Sequence, residues 1–134
     1  MSGVAVIREL LLASADYLAV VSAADTRAGV LPINTPVPAV GLMSISIVPL
    51  NFLTPSSKRR FTERVQVTAL ADDYAQKEEI LSLARRICAD RLGDFADVTE
   101  VSVLLDSAGP DFTSDDGSIV MQSQDFSVGY NVAT

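Results

Sequence analysis

From Phe61 to Ala71 the chain alternates without a break, with Phe61, Glu63, Val65, Val67 and Ala69 on one side and Thr62, Arg64, Gln66 and Thr68 on the other. Side chains of an extended chain point to opposite faces in turn, so this pattern predicts a strand with one face turned to a core. A different period rules residues 4–21, where Val4, Ile7, Leu11, Ser14, Leu18 and Val21 recur at three- and four-residue steps. That spacing predicts an amphipathic helix, and Val6, Leu10 and Leu12 widen its apolar arc enough for burial on more than one side. A second helix is predicted from about Tyr74 to Leu92. Its stripe is Tyr74, Leu81, Ala84, Cys88 and Leu92, widened by Ile80 and Ile87, with Lys77, Glu78, Arg85 and Arg91 facing outward. Asp73 and Gln76 stand at capping-box spacing before it, and Gly93 suits the left-handed residue that ends many helices.

The remaining apolar runs read as strands. Within residues 39–50, Met43, Ile45 and Ile47 alternate against Ser44 and Ser46, and Pro49 marks the end of that strand or its place at an edge. Val98, Val101, Val103 and Leu105 predict another. The last begins near Ser118 and alternates through Phe126, Val128, Tyr130 and Val132, with irregular phase and an expected bulge around Gln122–Asp125. Gly29, Pro32, Pro36 and Pro38 make residues 22–38 an extended connection. Asn51–Ser57 reads as a loop carrying Phe52 and Leu53, and Ser107–Gly117 as a turn region closed by Asp116-Gly117, a hairpin dipeptide. The order predicts one α+β domain over residues 1–134, with a mixed, mainly antiparallel sheet and two main helices packed on one face.

Composition narrows the function classes. The chain has 134 residues, 49% of them hydrophobic, which is enough to bury a core without disulfides. No apolar run reaches the roughly eighteen residues a membrane helix needs, and Arg8 and Glu9 interrupt the N-terminal stretch. A cytosolic origin without membrane association is expected. The single cysteine, Cys88, and the lack of any histidine leave neither a disulfide framework, a His/Cys zinc site nor a thiolate–imidazole pair.

Charge is placed unevenly within a net charge of −7. Every charged residue after Leu92 is an acid: Asp94, Asp97, Glu100, Asp106, Asp111, Asp115, Asp116 and Asp125. Lys58, Arg59, Arg60 and Arg64 form the one basic cluster. An acidic chain repels nucleic-acid phosphates, so tight binding there is disfavoured, whereas basic and acidic ends suit contact between copies. Such a head-to-tail contact closes into a ring where the rotation allows.

Motifs for chemistry are weak. Asp111, Asp115 and Asp116 lack the closing glutamate of a calcium loop and read as a solvated turn. Ser56 and Ser57 have no histidine to activate them, a Ser–Lys pairing with Lys58 has no supporting signature, and no glycine spacing cradles a phosphate. No catalytic, metal or cofactor residue is predicted.

In its layout the chain resembles the tail-completion, or tail-terminator, family of long-tailed bacteriophages and related particles. The N-terminal helix resembles that family's opening helix. Thr26-Arg27-Ala28-Gly29-Val30-Leu31-Pro32 with Pro36-Val37-Pro38-Ala39-Val40 resembles its extended stretch. Arg64-Val65-Gln66-Val67 is similar to its arginine-bearing strand, and Asp125-Phe126-Ser127-Val128-Gly129-Tyr130 to its closing strand. The resemblance implies a hexameric ring at the head-proximal end of the tail tube, contacting the tube protein and the head connector or stopper. It also implies passage of DNA without specific binding, a place in the virion neck after assembly in the host cytoplasm, and no catalysis. Interface candidates are Phe52, Leu53, Lys58, Arg59, Arg60, Asp111, Asp115 and Asp116, with Phe52 and Leu53 seated on a neighbouring subunit or the tube. Part of the Asp94–Asp125 charge is expected to face the channel and repel DNA. Two competing classes are a small ligand-binding or regulatory α+β module, which needs an apolar pocket, and a carboxylate enzyme, which needs two acids converging in a cleft.

Overall fold

A computed structural model describes residues 2–29, 31, 36–50, 58–95, 98–114 and 117–133. The alternating segment becomes the long central strand of a seven-stranded sheet. In chain order the strands are β1 (Thr26–Ala28), β2 (Ala39–Leu50), β3 (Lys58–Ala71), β4 (Arg91–Phe95), β5 (Val98–Ala108), β6 (Phe112–Thr113) and β7 (Val120–Ala133). Across the sheet they run β1-β2-β3-β7-β5-β4, with β6 beside the start of β7. β1 lies parallel to β2, and every other pairing is antiparallel. This is the expected α+β architecture.

The helices are α1 (Ser2–Leu12), a short α2 (Ala15–Leu18) and α3 (Tyr74–Cys88), with a 3-10 turn at Ala23–Asp25. Val4, Val6, Ile7 and Leu11 of α1 and Ile80, Leu81, Ala84, Ile87 and Cys88 of α3 join Val40, Leu42, Val65, Val67, Ala69, Val101, Val103, Phe126 and Val128 in one core. The odd residues of β3 and the even residues of β7 therefore face the helices. Their neighbours Arg60, Thr62, Arg64, Gln66 and Thr68, with Ser123, Asp125, Ser127 and Asn131 opposite them, share the other face.

The structure departs from the expected elements where local polar chemistry competes with the stripe. The N-terminal helix breaks at Ser14, which is extended and whose hydroxyl caps α2 by accepting from Tyr17 N. The stripe changes phase at the break: Leu18, expected on the apolar face, is exposed, and Tyr17 is fully buried with its hydroxyl 2.7 Å from Thr26 Oγ1, while Val21 stays buried. α3 begins as expected: Asp73 Oδ1 accepts from Gln76 N, and Gln76 Oε1 accepts from Asp72 N. It ends at Cys88, four residues short of the expected Leu92. Asp90 takes the left-handed conformation (φ 60°), its N–H donates to Val103 O, and Leu92 and Gly93 belong to β4. Lys77, expected outside, is buried.

The bulge expected in the last strand lies on its neighbour. β7 pairs with β3 without a break through Gln122–Asp125, while β5 inserts an extra residue against β7 between Thr99 and Ser102 and another between Leu105 and Ala108. Glu100 sits at the first insertion with φ 51°. In β2 Met43 pairs with Gln66 on the polar face, and after the register shift between Ser44 and Ser46 Ile47 pairs with Glu63 on the other, so Met43, Ile45 and Ile47 do not share one face, and all three are exposed.

Candidate assembly interface

The basic cluster opens β3 at the end of the sheet shared with the close of β7 and the start of β5. Arg60 is spent on its own sheet: Nη1 donates to Glu100 O at 2.9 Å and Asn131 Oδ1 at 3.2 Å, and Nη2 to Ser102 Oγ at 3.2 Å. The guanidinium lies flat on β7 because residue 129 is glycine, where a Cβ would stand 2.7 Å from Arg60 Nη2. Lys58 and Arg59 are exposed beside it. Together Lys58, Arg60, Leu92, Gly93, Glu100, Val101, Ser102 and Asn131 line an open cleft of about 660 Å³.

A second arginine spans the same face. Arg64 Nε donates to Asp125 Oδ2 at 2.6 Å and Nη2 to Ser107 Oγ at 3.1 Å, tying β3, β7 and β5 together. The hydrogen bond and charge of Asp125 raise the Arg64 pKa further. Asp94 accepts from Glu100 N. Asp94 and Asp125, both among the C-terminal acids, thus hold their own sheet together.

Asp111 is likewise engaged within the chain. Lys77 Nζ donates to Asp111 Oδ1 at 2.5 Å, Glu78 Oε1 at 2.5 Å and Gln122 Oε1 at 2.8 Å, and lies 3.9 Å from the centre of the Tyr74 ring. Burial opposes the lysine's charge, yet its hydrogen bonds to Asp111 and Glu78 and their negative charges outweigh it and raise the Lys77 pKa. Asp111 anchors the connection after β5 to α3. Phe52, Leu53, Asp115 and Asp116 lie outside the described residues.

Under the helices, Glu63 is fully buried. Its Oε1 accepts from Tyr130 Oη at 2.8 Å and from Gly3 N, in the first turn of α1, at 3.2 Å. A carboxylate there complements the positive end of a helix. Burial and the bond to Glu63 raise the Tyr130 pKa. Cys88 is also buried, and desolvation pushes its thiol up to about 12, far from a reactive thiolate. Among the described residues no group of three Asp, Glu, His or Cys side chains is placed to hold a metal.

What the alternation of β2 did not reveal is an exposed apolar rim. Met43, Ile45, Ile47, Val48 (59% exposed) and Leu50 project from the part of β2 beyond its pairing with β1. At the other edge of the sheet Leu92 (78% exposed), Leu104 and Leu105 are open. The sequence signal was present in residues 39–50, an apolar strand of which only the first four residues are buried.

A scan of the sequence against protein-family profiles finds no match, and a search of curated proteins finds none either. The fold is similar to that of a chain in the virion of a native gene transfer agent particle, with a TM-score of 0.70 at 9% identity. The likeness covers 96% of this chain and 94% of that one. At that identity it speaks to the fold.

Proposed function

We propose that this chain is a structural protein of a phage-like virion, and that within the particle it is the tail terminator: a homo-oligomeric ring, six copies in number, that caps the tail tube and joins it to the head connector. The observation that carries this reading is the likeness to a virion chain over 96% of this chain and 94% of that one. The exposed apolar rim of the sheet supports it, since apolar patches at strand edges mark contact surfaces. Lys58 and Arg59 at one end of β3 and the acids of β4 and β5 add the charge asymmetry that orders copies head to tail. The reading assigns the chain no catalysis, and DNA passes the ring without specific contacts.

A ligand-binding module has one candidate site in the cleft beside Lys58 and Arg60. Both terminal nitrogens of Arg60 there already donate within the sheet, to Glu100, Asn131 and Ser102, which favours a structural role for that arginine and assembly as the reading. Deleting the chain from a producing particle tests the proposal. Tails of uncontrolled length that fail to join filled heads are expected; tails of normal length joined to heads would overturn it.

A further inference from the structure

The sheet is open at both edges, and the two open stretches match. On one side β1 covers β2 only as far as Leu42, so Met43–Leu50 has no strand beside it among the described residues. On the other side β4 reaches β5 only as far as Val103, so Leu104–Ala108 is uncovered in the same sense. Natural proteins guard long edges with charges, prolines or covering segments, because unpaired N–H and C=O groups template pairing with another chain. Among the described residues Pro49 is the one guard on β2: it has no N–H to donate, and it stops any added ladder after Val48. Met43, Ile45, Ile47 and Val48 leave the rest apolar and open.

We infer that Met43–Val48 of one copy pairs with Leu104–Ala108 of the next, making one continuous sheet around the ring. The inference rests on the ring reading and names its joint. Strand direction agrees with it. β2, β3, β7 and β5 are antiparallel in turn, so β5 runs opposite to β2. Rotation about a ring axis preserves each strand's sense along that axis, so β5 of one copy meets β2 of the next antiparallel, as most strands of this sheet already pair. Charge selects a second copy as the occupant. The β5 edge carries exposed Asp90, Asp94, Glu100 and Asp106, and the end of the β2–β3 pair carries Lys58 and Arg59. Arg91, the basic residue on the acidic edge, turns back to Ile87 O.

The test places cysteines at both edges, Val48→Cys and Leu104→Cys, in rings free in solution or on tail tubes, and treats them with a short bis-maleimide. The edges of one copy stand three strand spacings apart, about 14 Å, beyond the reach of such a reagent. Cys88 is buried and leaves the background silent. The double variant is expected to give a ladder of covalent oligomers on a denaturing gel while neither single variant does. Val48→Glu should lower ring yield at least about tenfold, as a charge buried at a joint requires, with Val48→Thr as the tolerated control. Normal rings with no ladder and no effect of Val48→Glu would overturn the edge pairing and leave the ring reading standing. Covalent dimers from Val48→Cys alone would replace it with a twofold β2–β2 contact. A wild-type chain that forms no ring, free or on tubes, would sink both.

Discussion

Glu63 shows what single residues in the alternating strand were able to announce. Its position among Phe61, Val65 and Val67 put a carboxylate on the core face, and the structure keeps it there by giving Oε1 the Tyr130 hydroxyl and the Gly3 N–H. Neither partner was readable beforehand, because each lies more than fifty residues away and comes into reach only through the β3–β7 register and the docking of α1. Tyr130→Phe removes one of two donors to a buried carboxylate, so unfolding in urea should show a loss of about 1–3 kcal/mol. Lys77 is the opposite case. Its place on the polar side of the helical pattern suggested solvent, but Asp111, Glu78 and Gln122 supply three acceptors that make burial tolerable.

Titration adds a prediction at this scale. Desolvation pushes Tyr17 up to about 12 and Cys88 up to about 12, and the ion pairs raise Lys77, so each holds its proton more tightly folded than unfolded. The unfolded chain releases these protons first as pH rises, so their contribution is intact below the ordinary values and is lost toward the folded ones. Melting temperature should stay level up to pH 9, the ordinary thiol value, and fall from there toward pH 12. Tyr17→Phe should flatten part of the fall above pH 10. A stability that rises across this range would contradict the assignment.

At the scale of elements, periodicity located both main helices and the long strands, while their ends were set by polar groups that periodicity does not register. The Asp73 cap was legible because its geometry is local, and Asp73→Ala should cost about 1 kcal/mol in a thermal or urea melt. The stop at Cys88 was not: Gly93 looked like the terminator, yet Asp90 takes the left-handed turn and frees Leu92 and Gly93 for a strand. The irregular phase near Gln122–Asp125 was a true signal with the wrong address. β7 stays regular because β3 pairs it along its whole length, and the extra residues fall on β5, whose outer edge is only partly held by β4. β2 misled for a related reason: the alternation of Met43, Ile45 and Ile47 looked like one face, but the register shift between Ser44 and Ser46 puts Met43 and Ile47 on opposite faces.

For the whole molecule, the α+β class and the helices on one face followed from the order of patterns, and the candidate site was only partly legible. Of the basic cluster, Arg60 is consumed by its own sheet and Lys58 and Arg59 stay at the surface. Asp111 ties down its own connection through Lys77. The apolar rims at Met43–Val48 and Leu104–Ala108 became visible only when strand order showed both to be edges. A sheet that is open at two matched edges among the described residues, with opposite charge near them, suits a subunit that repeats by rotation. Electron microscopy of purified tail tubes incubated with the chain tests that most directly. The account predicts one closed ring at one end of each tube and no further growth from that end. Tubes left bare, or decorated along their length while they keep growing, would contradict it.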